Sequence, residues 1–89
     1  MRAVVTVIGK DKPGIISKIS ATMFENEVNI LDIQQNVMDD VFAMVMLVDI
    51  SKCKVDFSVL KQELDKDGEA LAMKVFAMHE DIFNAMHRI

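Results

Sequence analysis

The chain has 89 residues, 10 Lys+Arg against 14 Asp+Glu, and a net charge of −4, enough for one domain and no more. The acidic balance argues against nucleic acid and against anionic membrane surfaces, and no run of roughly 18 apolar residues is present to span a bilayer. Hydrophobic residues make up 52%, and a single cysteine cannot form an internal disulfide, so packing alone must hold the fold; this suits a reducing cytoplasm.

Residues 2–8 (RAVVTVI) are short and β-branched, which predicts a strand buried on both faces. The opening apolar run has no small-residue cleavage signal behind it and reads as part of the fold, not a secretion signal. Gly9-Lys10-Asp11-Lys12-Pro13-Gly14 then breaks the pattern, and Pro13 suits the first turn of a helix. Ile15, Ile16, Ile19 and Met23 form one helical stripe, giving helix one over residues 14–26. In the next segment Leu31, Ile33 and Val37 share one strand face, and Asp32, Gln34 and Asn36 the other. Asp39-Asp40 makes a turn into Val41–Ile50, apolar at nearly every position, so the two segments form a hairpin with an outer and an inner strand.

After the polar loop Ser51–Lys54, Asp56 is placed to cap a second helix bearing Phe57, Leu60 and Leu64, which Gly68 is expected to stop. Residues 71–78 form a fourth strand, and Ile82, Phe83, Met86 and Ile89 lie on one stripe of a short third helix over residues 80–89. The order β-α-β-β-α-β is that of the ferredoxin-like plait, an α+β fold. Residues 1–79 make the plait and residues 80–89 the added helix, in a single domain. Right-handed crossovers give an antiparallel sheet in the order 4-1-3-2 with two helices on one face, leaving strand two at an edge. Strand three is apolar on both faces, so the second sheet face must be covered by the C-terminal helix, by another subunit, or by both. That predicts self-association; a monomer covered by its own tail is the alternative.

Catalytic groupings are scarce. His79 and His87 are eight apart, too far for a two-histidine metal motif, and are read as solvent-exposed. Cys53 sits between lysines but has no histidine partner in sight. No nucleophile–base pair emerges, so the chain is not expected to be an enzyme, and neither metal nor cofactor is expected. The eight methionines suit core and interface packing. Among other plait proteins, RNA binders need aromatics on the central strands, and here only Phe42 qualifies. Metallochaperones of this shape need Cys-x-x-Cys in the first loop, and acylphosphatases need an arginine there; both are missing.

The informative stretch is Gly9–Ile15 with Asn29-Ile30. Pro13-Gly14 opens helix one, whose first amides point unpaired at whatever precedes them and attract a carboxylate, helped by Lys10 or Lys12. Asp11 accepts an ammonium group, or else caps the helix; Asn29 donates and accepts, or else shapes the turn after helix one. The loop and the start of strand two are expected at the same end of the plait, where an amino acid's two charges could be matched.

The stretch GKDKPGI, followed eighteen residues after Asp11 by Asn29-Ile30, resembles the signature of ACT domains. These are small amino-acid-sensing modules attached to biosynthetic enzymes and regulators. The resemblance spans residues 1–79, and the chain is similar to small stand-alone ACT proteins and to half of the glycine-cleavage repressor type. It implies a side-by-side homodimer joined through strand 29–38, possible further assembly to a tetramer, and a small-molecule ligand at the seam. Carried over by position, the ligand-binding residues are Asp11, Pro13, Gly14, Ile15, Asn29 and Ile30, with Lys12 beside them. Asp11 stands where amide-bearing members often have Asn, and Gly9 where some serine-binding members have His. The implied function is a non-catalytic, cytoplasmic regulatory module. The alternative is a ligand-free module that docks a partner protein through its outer face and tail helix.

Overall fold

The computed structural model describes residues 1–86; His87 and Ile89 fall outside the described residues. The elements are β1 (Arg2–Lys10), α1 (Ile15–Glu25), β2 (Asn29–Met38), β3 (Val41–Asp49), α2 (Phe57–Leu71), β4 (Met73–His79) and α3 (Glu80–Met86). The sheet order is β2-β3-β1-β4, with every neighbouring pair antiparallel, which is the ferredoxin-like plait with an added C-terminal helix.

Alternation along the inner strands sorts the side chains by face. Val5 lies opposite Met46 and Ala77, and Val7 opposite Met44 and Val75. These rows face α1 and α2, whose Ile19, Met23, Leu60 and Leu64 are completely buried. Phe42, Met44, Met46 and Val48 are buried on this face of β3, as their alternation predicts. β1 departs from its predicted burial on both faces: Val4 is 4% exposed but Ile8 is 41% exposed. The difference follows α3, which packs against the Arg2 and His79 ends of β1 and β4 and leaves the far ends bare. A two-pronged contact holds α3 there: Arg2 Nε donates to Glu80 Oε1 at 3.1 Å and Nη2 donates to Oε2 at 2.5 Å. The same hydrogen bond pushes the Arg2 guanidinium above its ordinary pKa.

α2 does not stop at Gly68. It runs on to Leu71, and Ala72 ends it in the left-handed conformation with φ 56°, so β4 begins two residues later than the apolar run suggests. Gly68 is buried inside the helix because β4 passes so close that a Cβ would lie 2.9 Å from the Met73 carbonyl oxygen and 2.8 Å from Val75 Cγ2. Gly9 is another close approach: a Cβ there would collide with the Met73 sulfur.

The two main helices are joined by buried polar groups. Asn26 Nδ2 donates to the Thr22 carbonyl at 2.9 Å and to Glu63 Oε1 at 3.3 Å, while the Asn26 carbonyl accepts from the Lys54 amide at 3.0 Å. Thr22 Oγ1 donates to Asp67 of α2. Asn26 is 6% exposed, so shortening it strands its partners away from water. Asn26→Ala is expected to cost about 1–3 kcal/mol, seen as a lower urea midpoint with an unchanged denaturant slope.

Candidate functional site

α1 begins without a side-chain cap. Its N-cap is Gly14, held at φ 89°, and no side-chain hydrogen bond closes the end. The Lys18 amide makes the first intrahelical bond, to Gly14 O at 3.0 Å. The amides of Ile15, Ile16 and Ser17 therefore have no partner within the helix. Asp11 does not cap α1. Instead its amide donates to the Asp40 carbonyl at 2.7 Å, which ties the β1–α1 loop to the β2–β3 turn.

The tie fixes the site's position. A hollow of about 320 Å³ lies between the loop and the far end of β2, lined in part by Asp11, Lys12, Gly14, Ile15, Gln35 and Val37. Its floor is Phe42, and Ser17 and Ile16 close it along α1. Asp11 and Gly14 are exposed, and nothing lies within 4 Å of where a Gly14 Cβ would stand, so the helix end is open to solvent. Pro13 shapes the turn but is not part of the lining.

Asn29 and Ile30 are elsewhere. β1 and β2 are both antiparallel to β3 and so run parallel to each other, with Asn29 opposite Asp49 and Arg2 also opposite Asp49 from the other side. The start of β2 is therefore at the end where β1 begins, not where it finishes. The expectation that the loop and Asn29 share one end is corrected: ten residues of β2 separate them, about 30 Å at the strand rise. Asn29 borders a second hollow of about 260 Å³ with Glu27, Asp49, Ser51 and Lys52. There Asp49 accepts from Ser51 Oγ at 2.6 Å and from the Ser51 amide at 2.9 Å. These bonds hold the Asp49 carboxyl below the ordinary carboxylate range. Ile30 is half-buried and packs against the core from the helix side of β2.

Sequence reasoning missed Gln35, Val37 and Phe42 as neighbours of the loop. The signal was available in the parallel course of the first two strands, which brings the end of β2, not its start, beside the end of β1. It also missed the register shift between Ile30 and Asp32, where Leu31 is the extra residue. Beyond it, Ile33, Gln35 and Val37 face the helix side, opposite Met46, Met44 and Phe42. Ile33 and Val37 remain exposed there, at the edge of the sheet.

The other candidate groups are structural or isolated. His79 is half-buried, not solvent-exposed: its ring lies 4.4 Å from that of Phe57, and its Nδ1 is buried without a hydrogen-bond partner. Cys53 packs against the core. No helix among the described residues is long and apolar enough to cross a membrane.

A plait with an uncapped helix end beside an exposed loop and an edge strand is the architecture of a regulatory ACT domain. Residues 2–78 match the ACT domain sequence profile, and the chain belongs to that family. It is 59% identical over 88 residues to a UPF0237 protein of Methanocaldococcus jannaschii, covering 99% of this chain and 98% of that one. Among solved structures it resembles an ACT domain protein from Streptococcus pneumoniae, with a TM-score of 0.80 and 40% identity over 93% of each chain. It shares its fold, at 19% identity and a TM-score of 0.74, with 44% of a putative glycine cleavage system transcriptional repressor, across 86% of this chain. The ligand-free regulatory subunit of aspartate kinase from Thermus thermophilus has the same fold, at 20% identity and a TM-score of 0.67, over 86% of this chain and 50% of that one.

Proposed function

We propose that this protein is a non-catalytic regulatory module that binds an amino acid, or a ligand with the same pair of charges, at a seam between two copies of the chain. The observation that carries this reading is the separation of Asp11 and Asn29 by the length of β2. One small ligand cannot reach both within a chain. A second copy can supply the missing half, because β2 is an edge strand whose outward amides and carbonyls have no partner strand among the described residues. Antiparallel pairing of β2 with its copy about a two-fold axis sets the start of one strand beside the end of the other. Asn29 of the second copy then comes to the Asp11 loop of the first, twice over.

The apolar residues flanking the edge suit such a seam. Ile16, Leu31, Ile33 and Val37 are 39–46% exposed, and Phe24 on α1 is 83% exposed. Within the assembled site the unpaired amides of α1, with Lys12, receive a carboxylate, and Asp11 receives an ammonium group. Asn29 from the other copy supplies a donor and an acceptor between them. A ligand held by both copies stabilises the joined arrangement over the separated one, and that unequal affinity is what permits regulation. The names of the related aspartate kinase subunit and glycine cleavage repressor fit this role.

A thermal-shift screen over the twenty amino acids tests the reading, followed by calorimetry on any hit. A true ligand at 100 times its Kd adds about 2.7 kcal/mol, which for a chain of this size raises Tm by about 10 °C or more. A flat response to all twenty at well above about 1 mM rejects amino-acid sensing, since 1 mM corresponds to only about −4 kcal/mol of binding.

A further inference from the structure

The sheet face turned away from α1 and α2 is covered over only half its length. At the α3 end Val4 is nearly buried, whereas at the other end Ile8 and Phe76 stand 41% and 51% exposed. α3 itself leaves Ile82 and Met86 at 52% and 66% exposure. Each chain therefore carries both a bare apolar half-face and a short helix with apolar side chains turned outward. One charged residue at each end bears on the fit. Lys74 lies opposite Ile8 at the bare end, while Asp81 is in the first turn of α3 at the covered end.

We propose that these are the two halves of one self-complementary interface, occupied by a second copy of this chain stacked face to face. A two-fold axis in the plane of the interface and perpendicular to the strands keeps β1 over β1 and β4 over β4 while exchanging their ends. α3 of each copy then settles on the bare half of the other, Ile82 and Met86 against Ile8 and Phe76, with Asp81 toward Lys74. The two α3 helices lie side by side in one layer between two sheets, each touching its own sheet and its neighbour's. The broad extents of the chain, 35 × 35 Å, accommodate the roughly 800 Å² per partner that a stable interface buries. This contact uses the outer face and not the edge of β2, so it stands independently of the ligand seam.

Sedimentation or light scattering on the full chain tests it, with circular dichroism to verify folding. Phe76→Glu and Ile82→Glu are each expected to halve the mass of the wild-type assembly. That means four chains of 10.0 kDa becoming two if the edge also pairs, or two becoming one if it does not. Lys74→Glu, a surface change that leaves the core intact, is expected to weaken association several-fold, and adding Asp81→Lys in the same chain to restore it. A wild-type monomer, an unchanged mass in folded Phe76→Glu and Ile82→Glu proteins, or a double charge reversal no better than Lys74→Glu alone overturns the proposal.

Discussion

Heterodimers joining one Asp11→Ala chain to one Asn29→Ala chain are expected to bind ligand with wild-type affinity at about half the wild-type stoichiometry, although each variant alone binds much more weakly. In the Asp11→Ala homodimer both sites lack the ammonium acceptor. In the Asn29→Ala homodimer both lack the amide. Losing one hydrogen bond to a charged group is worth about 1.5–3 kcal/mol, or roughly 10–100-fold in Kd. Combined, the two chains place both changes in one site and leave the other intact, because each proposed site takes its loop from one copy and its Asn29 from the other. Differently tagged chains, co-expressed and purified for both tags, give the mixed species for calorimetry. If loop and asparagine served the same ligand within one chain, the mixed species would contain no intact site, and binding no stronger than in the parents would exclude the seam. Because Asp11 and Asn29 are exposed, both variants are expected to fold.

Gly68→Ala is expected to destabilise the protein by about 1 kcal/mol, against the usual rule for a helix interior. Alanine is favoured over glycine there by about 1 kcal/mol, so intrinsic preference alone predicts a gain. The surroundings decide otherwise. The added methyl would sit 2.9 Å from the Met73 carbonyl oxygen, a backbone atom of β4 that cannot swing aside as the end of a side chain can. Relief requires α2 to lift from β4, which disturbs the packing of Leu60 and Leu64 on the sheet. Overpacking of this kind costs about 1–3 kcal/mol, and the net loss of about 1 kcal/mol lowers Tm by about 5 °C in a domain this small. Thermal unfolding followed by circular dichroism measures it, and an equal or higher Tm would mean that α2 and β4 yield more easily than their separation implies.

Much of the plait was legible because its signals are local. The unbroken apolar run from Val41 to Val48 marks a central strand, and Ile15, Ile19 and Met23 mark the buried stripe of α1. The motif at Asp11–Ile15 was equally legible, since Pro13 and Gly14 have few other uses in so glycine-poor a chain. What escaped was set by relations between distant segments. Gly68 reads as a helix terminator until β4 is known to cross it, and glycine serves either purpose. The bulge at Leu31 leaves no mark in composition. His79 reads as a polar strand end until Phe57 is brought against it from another element. The misplacement of Asn29 has a different origin: the topology was inferred correctly, but the direction of the strands was not followed through to its ends.

The proposed division of the receptor between the two ends of one strand has a consequence for dosage. Where chains are scarce they remain apart, neither half holds the effector firmly, and responsiveness falls even though every individual chain is intact. On the proposed reading, abundance of the polypeptide would set the threshold at which the effector is noticed, and that threshold would drop as expression rises.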